Sequence, residues 1–177
     1  MTNPRPSRTI SAPAVAQPSS PLSPDPGECY RRYFPRVFAY IYGRTRDTRA
    51  TEDLASEVFK RVLAKAYPLA DEQAFATGLF TTAREVLASH LRRRSGAGAP
   101  HPQGADDDPL LKRPDLASIL DHLRQFSQRQ QDVIALKFDA ELTNAQIAQV
   151  MRLSEGKVGV ILYRTLRKLR KALEQDD

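Results

Sequence analysis

The stretch FSQRQQDVIALKFDAELTNAQIAQVMRLSEGKVGVILYRTLRKLRKAL, residues 126–173, decides the fold. Ser127 is followed three residues later by Gln130, and Thr143 by Gln146. This is the spacing of a capping box, in which hydroxyl and amide side chains satisfy the free N–H groups at a helix start. The first box predicts a helix through Val133, Ile134 and Phe138, and the second a short helix from Asn144 to about Met151. After Leu153, the Ser154 hydroxyl can cap a last helix carrying Val158, Ile161, Leu162, Leu166, Leu169 and Leu173 at helical intervals. A short helix, a tight turn and a longer basic helix form a helix-turn-helix. The last helix is expected to bury Val158, Ile161 or Leu162, and Leu166, leaving Lys157, Tyr163, Arg164, Arg167, Lys168, Arg170 and Lys171 elsewhere around it. In such a motif the second helix enters the major groove N-terminus first. That places Ser154, Glu155, Lys157, Gly159 and Val160 near base edges and the arginines near phosphates. By charge alone, a solvated basic face on a packing helix fits equally well.

Upstream, Leu116, Ile119, Leu120 and Leu123 read as a short helix that completes a block over residues 113–175. It is preceded by SGAGAPHPQGADDDP, residues 95–109, where Gly and Pro punctuate and Asp106, Asp107 and Asp108 stay solvated; a linker is expected over 95–112. A first block is expected over 28–94, with three helices. One carries Tyr30, Tyr33, Phe34, Val37, Phe38 and Ile41 and ends at Gly43. A second carries Leu54, Val58, Val62, Phe59 and Leu63 after a cap at Thr48. The third follows Asp71, turns Phe75, Leu79, Ala83, Val86 and Leu87 inward, and finishes in Arg92, Arg93 and Arg94, where the helix dipole favours cations. Residues 1–27 are rich in Pro, Ser and Ala, and seven prolines from Pro4 to Pro26 deny them a helix, so a disordered tail is expected. The expected fold is all-α, two small helical domains joined by a flexible linker.

Lys and Arg number 27 against 21 Asp and Glu, a formal charge of +6 that suits a polyanionic partner, although basic soluble proteins are common. Cys29 is the single cysteine, and with only His90, His101 and His122 beside it there is no spaced ligand set for a metal. No apolar run approaches the roughly 20 residues that cross a bilayer, and no signal sequence is apparent. A cytoplasmic protein without membrane insertion is expected. There is no Walker-type phosphate loop and no local Ser, His and Asp motif, and Cys29 has no base nearby in sequence; neither a cofactor nor an enzymatic activity is expected. Cys29 reads as a partly buried small side chain or an inert surface thiol.

Residues 116–173 resemble region four of sigma-70-type factors, the part that reads the minus-35 promoter element, most tellingly in RQQDVIAL, AQIAQVM and SEGKVGVILYR. Arg152 stands where that family's turn usually has Gly. Tyr30 to Ala66 is similar to region two of the same family, most clearly in TEDLASEVFKRVL, residues 51–63. AFATGLFTTAREVLASHLRRR, residues 74–94, resembles the segment that captures the minus-10 element, with Gly78, Glu85 and Ser89 departing from the usual aromatic, Asn and Asp. Without region one and the bulky central region, the layout resembles the extracytoplasmic-function (ECF) group.

The resemblance implies a promoter-specificity subunit whose partners are core RNA polymerase, through the largest subunit's clamp helices and the flap, and promoter DNA, with an anti-sigma factor as a further candidate. It makes Asp53, Glu57, Lys60 and Arg61 candidate polymerase contacts, although Glu52, Asp53 and Glu57 also suit a helix N-terminus on a solvated face. It makes Arg84, Glu85, His90, Arg92 and Arg93 candidates for the minus-10 strand. Thr143, Ser154, Glu155, Lys157, Gly159, Val160, Tyr163, Arg164 and Arg167 become candidates for the minus-35 duplex. The rival readings are a sigma-like decoy that binds polymerase or an anti-sigma protein without opening promoters, and a stand-alone helix-turn-helix regulator.

Overall fold

The structure, a computed structural model, describes residues 25–65, 71–96, 119 and 121–176. It is all α-helical, with no strand among the described residues: α1 (Pro26–Thr45), α2 (Thr48–Ala64), α3 (Glu72–Gly96), α4 (Gln128–Phe138), α5 (Asn144–Met151) and α6 (Glu155–Asp176). Residues 121–124 form one further helical turn, part of the short helix expected there, while Leu116 and Leu120 lie outside the described residues.

Local chemistry sets the helix ends. The Asp47 side chain, not Thr48, caps α2 by accepting from the Ala50 N–H at 2.9 Å. Asp71 does the same for α3 through Ala74. Helix α1 opens with Pro26 in its first turn, where a missing N–H costs nothing. It therefore begins inside the stretch expected to be a disordered tail, whose residues 1–24 lie outside the described residues. Nor does Gly43 end this helix, which runs on to Thr45 and is closed by Arg46 in the left-handed region. Helix α3 continues through Ser95 and Gly96, two residues into the expected linker; residues 97–112 of that linker lie outside the described residues.

The inner face of α1 is Cys29, Tyr33, Val37, Tyr40 and Ile41. Tyr40 was not on the expected stripe, whereas Tyr30 is exposed and Phe34 and Phe38 are half-buried around an aromatic cluster with Phe59. Helix α2 buries Leu54, Val58, Phe59 and Val62 but leaves Leu63 exposed, because a fifth apolar residue falls beyond the width of the buried stripe. Phe138 and Leu166 are exposed for the same reason; the inward position on α6 belongs to Thr165, whose hydroxyl accepts from Gln130 Nε2 at 3.1 Å.

Helix α3 is buried on nearly all sides. Phe75, Leu79, Ala83, Val86 and Leu87 turn inward as expected, and Ala76, Phe80 and Thr82 are buried as well. A helix apolar over so much of its circumference must be covered on more than one side. Here it packs on α1 and α2 and also on α5, while α1 touches α4. The two helical blocks, both present as expected, share one contiguous apolar core. Each fully buried Leu, Ile, Val or Phe contributes about 1.5–3 kcal/mol, so this shared surface is a substantial part of the fold.

Candidate nucleic-acid interface

The two capping boxes form as expected. Ser127 and Gln130 exchange bonds at the start of α4, and Thr143 and Gln146 at the start of α5. They fix where each helix begins and hold Ile147, Ala148 and Val150 against the core. Arg152 then reverses the chain with φ 52° and ψ 49°, a left-handed conformation that costs a non-glycine residue about 1 kcal/mol. Two residues on, the Ser154 hydroxyl accepts from the Lys157 N–H at 3.4 Å and opens α6.

Helix α6 buries Val158, Leu162 and Thr165 against the body. The opposite side presents Glu155, Lys157, Val160, Tyr163, Arg164 and Arg167 to solvent, Tyr163 being 66% exposed, and Gly159 is half-buried. Thr143 and Ser154 are exposed at the starts of the two helices. All nine minus-35 candidates therefore lie on α5 and α6 or their caps. The structure adds one cation that helical periodicity did not single out: Arg129, in the first turn of α4, lines a cavity of about 510 Å³ with Leu153, Ser154, Gly156, Lys157, Val160 and Ile161. Its cue in the sequence was no more than a basic residue just after a cap.

The polymerase candidates cluster on α2. Asp53, Lys60 and Arg61 are exposed, and Glu57 pairs with Arg61 at 2.7 Å.

On α3, Arg84, Glu85 and Arg92 line a cleft of about 610 Å³ together with Tyr40, Arg44, Gln128 and Asp132. Arg93 is exposed. His90 is half-buried with its Nε2 unpartnered, and burial, with Arg94 and Arg93 nearby, holds its pKa below the usual value. In that cleft Asp132 of α4, 5% exposed, accepts from Arg44 Nη2 at 2.6 Å, from Arg84 Nε at 3.3 Å and from Gln128 Nε2 at 3.0 Å. Two further ties join the blocks. Arg36 donates to the carbonyls of Ala140 and Glu141, and Thr77 bonds to Gln149 at 3.2 Å. Sequence reasoning missed Asp132, Arg44 and Arg36 because it treated the blocks separately. The cue was Asp132 itself, a carboxylate placed directly before the buried run from Val133 to Leu136.

The family model for Sigma-70 region 2 matches residues 29–96, and that for Sigma-70 region 4 matches residues 122–171, in that order along one chain. The chain belongs to the sigma-70 family. Two curated relatives place this sigma factor in the extracytoplasmic-function group. It is 29% identical over 160 residues to the ECF RNA polymerase sigma factor BldN of Streptomyces coelicolor, a match covering 85% of this chain and 61% of that relative. It is 27% identical over 158 residues to the ECF RNA polymerase sigma factor SigX of Bacillus subtilis, covering 82% of this chain and 81% of the other. In fold the sigma factor is similar to the sigma factor RpoE of Bartonella quintana, solved in complex with the anti-sigma factor NepR, with a TM-score of 0.67 and 18% identity over 85% of this chain and 98% of that one.

Among the described residues no helix is long and apolar enough to cross a membrane, and no cluster of His, Cys, Asp and Glu could hold a metal ion.

Proposed function

We propose that this sigma factor directs core RNA polymerase to specific promoters and initiates transcription there, as a cytoplasmic specificity subunit and not itself an enzyme. The single observation that carries the reading is the open, cationic outer face of α6, set by two formed capping boxes and presented by a chain with both sigma-70 regions in family order. In this reading Lys157 and Val160, with Ser154, Glu155 and Gly159, meet base edges of the minus-35 duplex, while Tyr163, Arg164, Arg167 and Thr143 meet its backbone. Arg84, Glu85, His90, Arg92 and Arg93 of α3 face the minus-10 strand, where each stacked base contributes about 1–3 kcal/mol toward melting. Asp53, Glu57, Lys60 and Arg61 dock on the clamp helices of polymerase, and the second block also meets the flap. The working units are residues 28–94 and 113–175, connected through 95–112. An anti-sigma protein that binds both blocks is a natural further partner.

Three assays test this reading. Core polymerase is expected to be retained by the sigma factor and lost when Asp53 and Glu57 are both changed to Lys, with helicity unchanged; undiminished retention removes that surface from the proposal. Gel shifts separate it from a stand-alone regulator, which binds duplex DNA tightly without polymerase. Permanganate footprints of the assembled holoenzyme separate it from a decoy, which binds polymerase and leaves promoter thymines unreactive.

A further inference from the structure

We propose that the cleft lined by α1, α3 and α4 binds a free guanine nucleotide, with Arg84 and Glu85 at its base end and Arg92 at its phosphate end. The cavity measures about 610 Å³, within the range of about 300–1,000 Å³ usual for small-ligand sites. Leu87, Ala88 and Leu91 give it an apolar wall against which a ring can lie. Glu85 and Arg92 stand on one side of α3, two helical turns and about 10 Å apart along its axis. An acceptor and a cation so spaced match the reach of a nucleotide from base edge to phosphate. The most buried group lining the cleft is Tyr40, 0% exposed, and its hydroxyl has no hydrogen-bond partner. Buried polar groups are nearly always bonded, so a ligand atom would complete this one.

The base follows from the donors and acceptors at the Tyr40 end. Burial, and after it the charge of Asp132, push the Tyr40 pKa up, so the phenol stays protonated and can donate. Arg84 gives its Nε to Asp132 at 3.3 Å and is 41% exposed in its side chain, which leaves its terminal nitrogens able to donate as well. An arginine on O6 and N7 is the pairing that marks guanine. Glu85 is exposed and, when ionised, accepts only; it suits the N1–H and amino group that guanine carries beside O6. Adenine has neither O6 nor N1–H. At the other end Arg92 is exposed and meets phosphate, while Asp132 is already paired with Arg44 and Arg84. The site goes beyond promoter recognition, but on the reading of α3 proposed above a bound nucleotide and the minus-10 strand exclude one another.

The experiment titrates the full chain, without polymerase or promoter, into GDP carrying a methylanthraniloyl fluorophore on its ribose. Unlabelled GDP, ADP, inorganic phosphate and a short random single-stranded oligodeoxynucleotide then compete with that probe. Saturable binding is expected, with GDP displacing the probe at about a tenth of the ADP concentration and phosphate far weaker than either. Arg92→Gln and Tyr40→Phe are each expected to weaken probe binding about fivefold or more, and Glu85→Gln to erase the preference for guanine. Arg49→Gln, exposed on α2, should leave binding unchanged. Tyr40→Phe should lose binding with no loss of thermal stability, a result that a merely structural role for the hydroxyl would not give. Absence of saturable binding overturns the proposal, as does displacement by ADP or phosphate at the GDP concentration. Binding indifferent to Arg92→Gln and Tyr40→Phe overturns it too. An oligodeoxynucleotide that displaces the probe at a lower concentration than GDP returns the cleft to the promoter strand and overturns the free-ligand site. Failure in this assay leaves the proposed function standing, since neither polymerase nor promoter takes part in it.

Discussion

The Arg44 guanidinium lies 2.6 Å from the Asp132 carboxylate, with both side chains at most one-tenth exposed, although the two residues are 88 positions apart in sequence. A buried pair repays its desolvation only while both partners are present, and removing one leaves an uncompensated charge. Asp132→Ala is therefore expected to destabilise the protein by about 3 kcal/mol, and Arg44→Met with Asp132→Leu together by much less. Denaturant melts of the two variants check this, and equal losses would show that the charges are not coupled.

Arg152 supplies a second prediction. Its backbone sits at φ 52°, where glycine carries no Cβ penalty, and the side chain is exposed, so little else is lost by removing it. Arg152→Gly is expected to raise stability by up to about 1 kcal/mol, less the extra freedom glycine gives the unfolded chain. A thermal melt decides the sign.

Asp139 should respond to pH. Burial pushes its carboxyl up to about 6 from an ordinary value of 3.8, against the pull of Arg44 and Arg46. A folded pKa above the unfolded one means that its favourable contribution is fully present below the unfolded value and is lost as pH rises through about 6. At neutral pH the charged, largely buried form is a burden. Asp139→Asn is thus expected to stabilise the protein by on the order of 1 kcal/mol at pH 7.5 and to make no difference below the ordinary pKa of 3.8. A constant difference across that range would contradict the assignment.

How far the fold could be read from sequence depended on how local its determinants are. The boxes at Ser127 and Thr143 and the Ser154 cap act within three residues, so they announced α4, α5 and α6 correctly. The stripe from Phe75 to Leu87 was visible for the same reason. What could not be read is the burial of α3 beyond that stripe, at Ala76 and Phe80, because the helix packs at once on α1, α2 and α5, and Phe80 meets Tyr40 of α1. The Asp132 cluster was missed on the same ground: a carboxylate on α4 acquires its meaning only from Arg44 and Arg84 on other helices. Of the candidate site, the α6 face was legible from residue order and charge, while Arg129 joined it only through packing.

The α6 face yields a fourth prediction. Arg164 is exposed and placed for a phosphate, so Arg164→Ala is expected to weaken holoenzyme binding on all promoters alike and to lower the salt slope by about 1. Lys157, near the helix start, is expected to shift sequence preference when replaced by Ala. Selection from a randomised minus-35 duplex separates the two effects, and unchanged preference in both variants would place α6 away from the bases.

The most direct measurement is reconstituted transcription from a genomic promoter library, with core polymerase alone and with this sigma factor added. The account predicts discrete transcripts that start at defined promoters only when the chain is present. A library that yields no promoter-dependent transcript would contradict it.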